Sequence, residues 1–285
     1  MNKQITLKAR AKINLALDAI KKREDGYHEV KMIMQEIDLF DEVSVQEDSG
    51  SEIKVNSNLD YLPNDDSNIA YKAAELLLKT YNIKKGVSID IHKNIPVSAG
   101  LAGGSTDAAA VLIGLNQLWD MHLSKNDLMK LGGKLGADVP FCILGGCAVA
   151  EGIGDELRPI AGLDAFVVLC KPNLRVSTAK VYSNLKLDEI EKHPDVDEMV
   201  QQLKTNKIEE IKCNMINVLE TVTLMENPIV SGIKLKLLEC RAEAALMSGS
   251  GPTVFGLYKD YNRAKSAFEN LKKVYNETYL VKTVK

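Results

Sequence analysis

The sequence predicts an α+β protein of two domains. Strands and helices alternate along its first half, and a glycine-rich loop joins one of those strands directly to a helix. Glycines at 145, 146, 152 and 154 then separate this half from a second set of strands and helices. A chain of 285 residues can form one large domain or two medium ones. We place the boundary after residue 152, which gives domains of 1–152 and 153–285.

Local patterns define the elements of the first half. Alternation of apolar and polar residues predicts strands, and apolar residues three or four positions apart predict helices. Two short apolar runs on either side of a polar segment predict a β-hairpin. In chain order, these patterns give a strand at 13–17, a hairpin at 43–55, a helix capped by Ser67, a strand at 87–91 and a helix pattern at 108–112.

Capping signals and apolar runs define the later elements. Ser124 and Asp127 have the spacing of a capping box, Gly136 is placed to end that helix, and Pro140 suits the first turn of the next one. Beyond the boundary, the patterns give a strand at 166–170, charged helices at 187–204 and 208–225, strands at 244–247 and 254–257, a helix at 263–274 and a last strand at 279–281.

The composition excludes several classes of function. Apolar residues make up 45% of the chain and charged residues 26%, which is typical of globular proteins. A formal net charge of −3 leaves no basic excess for nucleic acid or an anionic membrane. No apolar run approaches the roughly 20 residues that span a bilayer, and no signal peptide is evident. Five cysteines without metal-site spacing indicate reduced thiols, so we expect a cytoplasmic protein.

The glycine-rich loop carries most of the functional information. Small residues let a ligand approach the backbone, and the helix that follows presents unpaired N–H groups and the positive end of its dipole. The segment therefore predicts a phosphate or nucleotide site; the alternative is a tight connection whose glycines serve packing alone. It matches neither G-x-x-x-x-G-K-[ST] nor G-x-G-x-x-G. It comprises Pro96, Val97, Ser98, Ala99, Gly100, Leu101, Ala102, Gly103, Gly104, Ser105, Thr106 and Asp107.

Two further segments give this loop a context. One is Ala9–Leu15 together with Asp25–His28, and the other is the turn Ser248–Pro252. With these segments the chain resembles the GHMP kinases, the superfamily of galactokinase, homoserine kinase, mevalonate kinase and phosphomevalonate kinase. The loop is similar to their second motif and the turn to their third. The resemblance runs from Lys12 to Tyr258.

The resemblance implies a fold, a donor and an acceptor. It is weakest between 187 and 237. The fold would be the two-domain GHMP kinase fold, with an N-terminal ATP-binding domain like ribosomal protein S5 domain 2 and a ferredoxin-like C-terminal substrate domain. The last strand, about 279–285, would return to the first domain. The cofactors would be ATP and Mg²⁺. The first-strand block implies a cytidine diphosphate-linked methylerythritol as acceptor, phosphorylated at its 2-hydroxyl in the methylerythritol phosphate route to isoprenoids.

Two residues carry the chemistry that the resemblance implies. Lys12 would lie near the accepting hydroxyl and stabilise the charge of the alkoxide and the transferred phosphoryl group. Asp138 would act as the general base. By their residue types alone, a strand Lys is most often a surface residue, and an Asp before Val-Pro is a common helix N-cap. A Lys–Asp pair would keep the aspartate ionised.

The remaining predicted site residues belong to the two ligands. Tyr27 and Tyr182 would stack on the cytosine, while His28 reads its polar edge and Asn14 contacts the acceptor near its reacting end. Gly249 and Ser250 would close the site. The resemblance also implies that the whole glycine-rich loop binds ATP, that Asn68 and Lys93 lie close to the adenosine, and that Ser105 and Asp107 are candidate Mg²⁺ ligands.

Three residues depart from the family pattern. Arg10 replaces a common proline, and we have no structural account of it. Thr106 replaces a common serine and keeps the hydroxyl. Ala102 replaces a common glycine, which costs little if its φ is negative.

Two alternatives to this function stay open. One is a GHMP kinase for another small alcohol, such as mevalonate or homoserine. The other is a module that binds adenine nucleotides without catalysis. In every case we expect a small-molecule ligand, no nucleic acid or membrane partner, and a monomer or homodimer.

Overall fold

The computed structural model describes residues 3–285, which form two compact units. Unit 1 comprises the residues up to Ala11 together with Phe40–Val97 and Ala102–Gly145; unit 2 comprises Lys12–Leu39, Ser98–Leu101 and the residues from Gly146 onward. The glycine-rich loop thus enters unit 2 at Ser98 and leaves it after Leu101. The boundary that we place after residue 152 stays a prediction. Within 3–285, no helix combines the length and apolar character needed to cross a membrane.

Unit 1 is built from helices and a sheet. Strands β1 (Gln4–Lys22) and β2 (His28–Asp48) run through both units. The other elements of unit 1 are β3 (Ile53–Ser57), α1 (Ile69–Thr80), β4 (Gly86–His92), α2 (Gly103–Leu118), α3 (Lys125–Gly133) and α4 (Val139–Leu144). Within unit 1, β4 pairs antiparallel with residues 42–48 of β2 and parallel with β3.

The core of unit 1 depends on small residues in α2. Ala108, Ala109 and Ala110 are buried there with the apolar side of α1. Gly114 lies so close to β2 that an added Cβ would stand 2.7 Å from Val45 Cγ2. The small side chains therefore set how closely α2 approaches the sheet.

The predicted hairpin at 43–55 is wrong. β2 and β3 do not pair with each other, because β4 lies between them. Val87, Ile89 and Ile91 of β4 are all buried. A strand between two others buries more apolar surface than an edge strand, so β4 suits the position between β3 and β2. The polar segment folds against the start of β4, where Gly86 N–H donates to Gly50 O at 2.9 Å.

Two of the four capping predictions in unit 1 are confirmed. Ser124 and Asp127 form the capping box of α3, and Pro140 lies in the first turn of α4. Two boundaries differ. Asn68 rather than Ser67 caps α1, accepting from Ala70 N–H at 2.9 Å, and α3 ends at Gly133 before Gly136.

Unit 2 contains a four-stranded antiparallel sheet. Its strands lie in the order β10-β7-β9-β8. Within unit 2, residues 32–35 of β2 also pair with β5, and β5 pairs with β6. The elements are β5 (Cys147–Glu151), β6 (Glu156–Pro159), β7 (Phe166–Lys171), α5 (Thr178–Asn184), α6 (Val196–Leu203), α7 (Ile208–Ile211), α8 (Glu220–Glu226), α9 (Pro228–Glu239), β8 (Ala244–Met247), β9 (Val254–Tyr258), α10 (Tyr261–Lys272) and β10 (Glu277–Lys282).

The two long charged helices predicted in this region are wrong. Residues 187–204 contain only a short 3-10 helix and α6, because Pro194 cannot continue a helix and Asp195 caps α6 by accepting from Glu198 N–H. Residues 208–225 are divided between α7 and α8, since the segment between them bonds to β1 at Leu17. The helix α9 was not predicted.

The end of the chain is split between two partners. β10 pairs with β7 over its full length. Beyond it, Thr283 bridges to Ile37 of β2, and Val284 N–H donates to Glu36 O at 2.9 Å. Residues 277–282 thus extend the four-stranded sheet, and the residues after them contact β2.

Ala102 adopts a left-handed conformation, with φ 60° and ψ 26°, so the condition under which an alanine costs little there, a negative φ, is not met. Replacing Ala102 by Gly should raise the free energy of unfolding by about 0.5 kcal/mol, because relief of strain slightly exceeds the added chain entropy. Chemical denaturation of the variant measures this change. Ala109→Gly within α2 is the control and should lower stability by roughly 1 kcal/mol. Equal losses in both variants would contradict this account.

Candidate active site

β1 places Lys12 and Asn14 on the same face, two residues apart, and both are buried. Lys12 is only 4% exposed, so the alternative of a surface lysine is wrong. Its Nζ donates to Asn14 Oδ1 at 2.8 Å, and its backbone N–H donates to Leu101 O at 3.2 Å. A buried ammonium is therefore fixed beside the glycine-rich loop, where it can act on a negatively charged ligand.

The loop alternates between two backbone conformations. Ser98, Gly100 and Ala102 all have positive φ, at 53°, 74° and 60°. At Gly100 an added Cβ would overlap Ser248 O, so only glycine fits there. This spacing of left-handed residues carries the chain into α2.

The N-terminus of α2 is suited to an anion. Its cap residue, Ala102, has no side chain that could accept from the first helical N–H groups. These groups and the helix dipole are therefore available to phosphate oxygens. An added Cβ on the exposed Gly104 would meet only Ile69 Cγ2, at 3.4 Å, so a ligand can approach the backbone closely there. The residues at the start of α2 fit the phosphate groups of a nucleoside triphosphate.

Three buried charged residues lie beneath this helix terminus. Lys93 Nζ bonds to Asp41 Oδ2 and, at 2.6 Å, to Asp107 Oδ2. Asp41 Oδ1 accepts from the backbone N–H groups of Asn94 and Ile95 at 2.5 and 2.8 Å. The cluster ties β2 and the end of β4 to α2. The ammonium of Lys93 is thus engaged by the carboxyl groups of Asp41 and Asp107, and a contact of this residue with adenosine stays a prediction.

The cluster shifts the pKa values of its members. Burial raises the pKa of Asp107 to about 8, despite the opposing charge of Lys93. Asp107 Oδ1 is buried and has no hydrogen-bond partner among the described residues, which fits a carboxyl that carries a proton. Burial alone would lower the pKa of Lys93, but the charges of Asp107 and Asp41 outweigh it and raise that pKa. Asp41 was not among the predicted site residues, because no motif includes it.

The other predicted residues of unit 1 lie at helix starts. Asn68 Oδ1 caps α1, and its Nδ2 donates to Pro63 O at 2.7 Å. Asp138 occupies the N-cap position of α4, yet its side chain makes no capping hydrogen bond. The alternative of a capping aspartate is therefore wrong for Asp138.

Aromatic residues gather in unit 2. The rings of His28 and Tyr182 lie 5.1 Å apart between centroids, tilted by 35°. His28 is buried at the start of β2, whereas the neighbouring Tyr27 is 61% exposed. Burial, followed by the charge of Lys22, lowers the pKa of His28, so its ring is neutral at pH 7 and can both donate and accept.

The turn Ser248–Pro252 completes the residues gathered in unit 2. Ser248 Oγ donates to Gly100 O at 2.9 Å. An added Cβ on Gly249 would lie 3.7 Å from Asn14 Oδ1. Ser250 Oγ bonds to Thr178 Oγ1 at 2.8 Å. The structure thus brings the turn together with the loop and with the face of β1 that carries Lys12 and Asn14.

Among residues 3–285, no cluster of three or more His, Cys, Asp or Glu side chains is arranged to hold a metal ion. In nucleotide kinases the metal is held largely by phosphate oxygens, so few protein ligands are needed. Asp107 is engaged by Lys93, which leaves Ser105 as the more accessible of the two candidate Mg²⁺ ligands.

Comparison with known proteins identifies the family. The sequence model of the GHMP kinases N terminal domain matches residues 68–146, and that of the GHMP kinases C terminal domain matches residues 199–277. The chain belongs to the GHMP kinases. It is therefore an ATP-dependent small-molecule kinase, and the predicted GHMP kinase fold is confirmed.

Similar proteins define its place within the GHMP kinases. A 4-diphosphocytidyl-2-C-methyl-D-erythritol kinase from Alkaliphilus metalliredigens is 52% identical, over 99% of this chain and 97% of the relative. One from Clostridioides difficile is 50% identical, over 97% and 94%. A crystal structure of 4-(cytidine 5'-diphospho)-2C-methyl-D-erythritol kinase superposes with a TM-score of 0.85 and 32% identity, over 99% and 100%. Homoserine kinase from Cytophaga hutchinsonii, at TM-score 0.79 and 20% identity over 100% and 96%, shares the fold.

The raised pKa of Asp107 predicts a pH-dependent stability. The pKa of about 8 lets the folded protein hold this proton up to about pH 8, whereas the unfolded chain releases it near the ordinary aspartate pKa of 3.8. The stabilisation is therefore complete below pH 4 and lost as the pH rises towards 8. Asp107→Asn keeps a neutral side chain, so its stability relative to the parent should increase between pH 5 and 8.5 in urea titrations.

Asp127→Asn is the control for this measurement. Its hydrogen bond from Ser124 lowers the pKa of Asp127, so its contribution is already constant above pH 5. Its difference from the parent should not vary over the same range. A constant difference for Asp107→Asn as well would contradict the raised pKa.

Proposed function

We propose that the chain transfers the γ-phosphoryl group of ATP to the 2-hydroxyl of 4-diphosphocytidyl-2-C-methyl-D-erythritol, a step in the methylerythritol phosphate route to isoprenoid precursors. Two relatives of that name are about half identical over nearly the whole chain. The observation that carries the acceptor is the contact between His28 and Tyr182, with Tyr27 exposed beside it. Such an aromatic group suits a nucleobase, which mevalonate and homoserine lack.

The donor side is the N-terminus of α2 with the loop before it. The backbone N–H groups at Gly103, Gly104 and Ser105 would bind phosphate oxygens, and Asn68 and Lys93 would lie near the adenosine. When bound, Mg²⁺ neutralises phosphate charge, and Ser105 would contact it through its hydroxyl.

Lys12 and Asp138 would be the side chains that act directly on the reacting groups. Asp138, whose carboxylate does not cap its helix, would take the proton from the accepting hydroxyl. Lys12, held by Asn14, would stabilise the negative charge that develops on the acceptor and the transferred group. Positioning and electrostatics then supply most of the rate.

The acceptor would be held by its base. Tyr27 and Tyr182 would stack on the two faces of the cytosine, and the neutral ring of His28 would hydrogen-bond its edge. Asn14, Gly249 and Ser250 would contact the part of the acceptor that reacts. The enzyme would act in the cytoplasm on small molecules as a monomer or homodimer, in line with the free thiols of its five cysteines.

Replacing Asp138 by Asn should lower kcat by at least 100-fold and leave the KM for ATP within about threefold, since only proton transfer is removed. Steady-state kinetics with the cytidine substrate measure this. Asp260 is a matched control, because this N-cap aspartate does accept from a backbone N–H, that of Arg263. Asp260→Asn should keep its kcat. Turnover at the parental rate by Asp138→Asn would exclude the general-base role.

Replacing Tyr27 by Ala should raise the KM for the cytidine substrate by roughly 10- to 100-fold, the value of one lost stacking contact. The KM for ATP should not change. Tyr81→Ala, at an exposed tyrosine that ends α1, is the control and should alter neither constant. If only the KM for ATP rises in Tyr27→Ala, the two subsites are reversed.

Turnover of the cytidine substrate beside mevalonate and homoserine tests the acceptor itself. Phosphorylation of mevalonate or homoserine alone would favour the first alternative. Binding of ATP without transfer to any alcohol would favour the non-catalytic module.

A further inference from the structure

The turn Ser248–Pro252 and the residue before it are bound through their backbone by side chains that no motif includes. Three side chains in the segment 217–223 bind the backbone at 247–250. They are spaced three residues apart, at Asn217, Glu220 and Thr223, and we call them the turn clamp. They lie in the part of the chain where the sequence resemblance to the family is weakest.

Asn217 is the most completely bonded member of the clamp. It is buried, and its Nδ2 donates to Met247 O at 2.8 Å and to Gly249 O at 2.7 Å. Its Oδ1 accepts from Leu219 N–H at 3.0 Å. Both amide hydrogens are thus bound to carbonyl groups, one at the end of β8 and one in the turn, which fixes the orientation of the side chain.

Glu220 and Thr223 hold two other backbone groups. Glu220 Oε1 accepts from Met247 N–H at 2.9 Å, while its Oε2 pairs with Lys234 at 2.6 Å. The fully buried Thr223 donates from Oγ1 to Ser250 O at 3.1 Å. Together with the two carbonyl groups bound by Asn217, four backbone groups of residues 247–250 are held: two of Met247 at the end of β8, and the carbonyl groups of Gly249 and Ser250 in the turn.

The clamp is also bonded to β1, the strand that carries Lys12. Leu17 N–H donates to Ile216 O at 2.9 Å, and Val218 N–H donates to Leu17 O at 3.0 Å, on either side of Asn217. At its other side, the turn donates a hydrogen bond from Ser248 Oγ to Gly100 O of the glycine-rich loop. A continuous set of hydrogen bonds therefore leads from β1 through the clamp and the turn to the loop.

We propose that Asn217, Glu220 and Thr223 are positioning residues for phosphoryl transfer, because they fix the turn, and through it the loop at Gly100, relative to Lys12 and Asn14. The proposal rests on the proposed transfer of a phosphoryl group but not on the identity of the acceptor. In such reactions displacement of a bound group by about 1 Å lowers the rate strongly. The clamp thus acts on kcat, without itself contacting either substrate.

Thr223 offers the cleanest test. Thr223→Val keeps the shape of the buried side chain and removes its hydrogen bond, whereas Thr223→Ser keeps the hydroxyl. With concentrations normalised to folded protein, Thr223→Val should lower kcat about tenfold and leave the KM for ATP within twofold. Thr223→Ser should restore kcat to within twofold of the parent. A residue that serves stability alone would change the melting temperature and leave kcat per folded molecule unaltered.

Asn217→Asp is the stronger variant, since it sets a carboxylate against two carbonyl oxygens. Its kcat should fall by at least 100-fold. Asn214→Asp is the matched control, because Asn214 makes similar bonds to Glu198, Gln202 and the Asp195 backbone N–H. It should keep its kcat. If Asn217→Asp does not fold, the Thr223 pair still decides the question.

The assays separate this inference from the proposed function. The parent enzyme is first assayed with the cytidine substrate, mevalonate and homoserine, and the variants are then compared on whichever acceptor it phosphorylates. Turnover of another acceptor would refute the proposed substrate and leave the clamp testable. A kcat within twofold of the parent in both Thr223→Val and folded Asn217→Asp would overturn the clamp.

Discussion

The site depends on a close backbone contact between the glycine-rich loop and the turn that follows β8. Ser248 donates its hydroxyl hydrogen to Gly100 O, and no Cβ can be accommodated on Gly100 beside the Ser248 carbonyl. This contact permits little adjustment, because the backbones of Gly100 and Ser248 approach too closely for a Cβ atom on Gly100. Whatever fixes the turn therefore also fixes the loop. The same turn approaches Asn14, and Asn14 holds the ammonium of Lys12.

Buried charged side chains support both ends of the loop. Asp41, Lys93 and Asp107 contribute little to the net free energy of folding, because desolvation of buried ions offsets much of their attraction. Their hydrogen bonds instead determine geometry: Asp41 holds the backbone that enters the loop, and Lys93 binds the helix that leaves it. A proton on Asp107 would leave the cluster with no net charge. The two ends of the loop are thus fixed by the charged cluster in unit 1, and its middle is fixed by backbone contact in unit 2.

Local signals in the sequence predicted local structure well. The capping box at Ser124, the strand containing Lys12 and the strand before the loop depend on neighbouring residues, and all are present. Pairing between distant strands could not be predicted as well from the sequence. The polar segment before β3 resembled a hairpin turn, but β4, whose apolar side chains are buried, lies between β2 and β3.

The candidate site shows the same division. Motifs predicted its loop, its turn and Lys12, because those residues have unusual types or spacings. The sequence did not indicate that Ala102 would be left-handed, since its neighbours and not its own preference impose that conformation. Asp41 and the clamp residues gave no signal either, because their role is to bind backbone atoms far away in the chain.

The passage of β1 and β2 through both units has a consequence for how the protein can be divided. Each unit is assembled from several separate stretches of chain, so a single proteolytic cut cannot release either one whole. Contacts within a unit join residues far apart in sequence, and their closure is slow relative to local helix formation. During synthesis, Lys12 and the first half of β2 must wait for residues beyond 146 before their unit is complete. The part of the candidate site that lies in unit 2 is therefore completed later than the part in unit 1, which ends at Gly145.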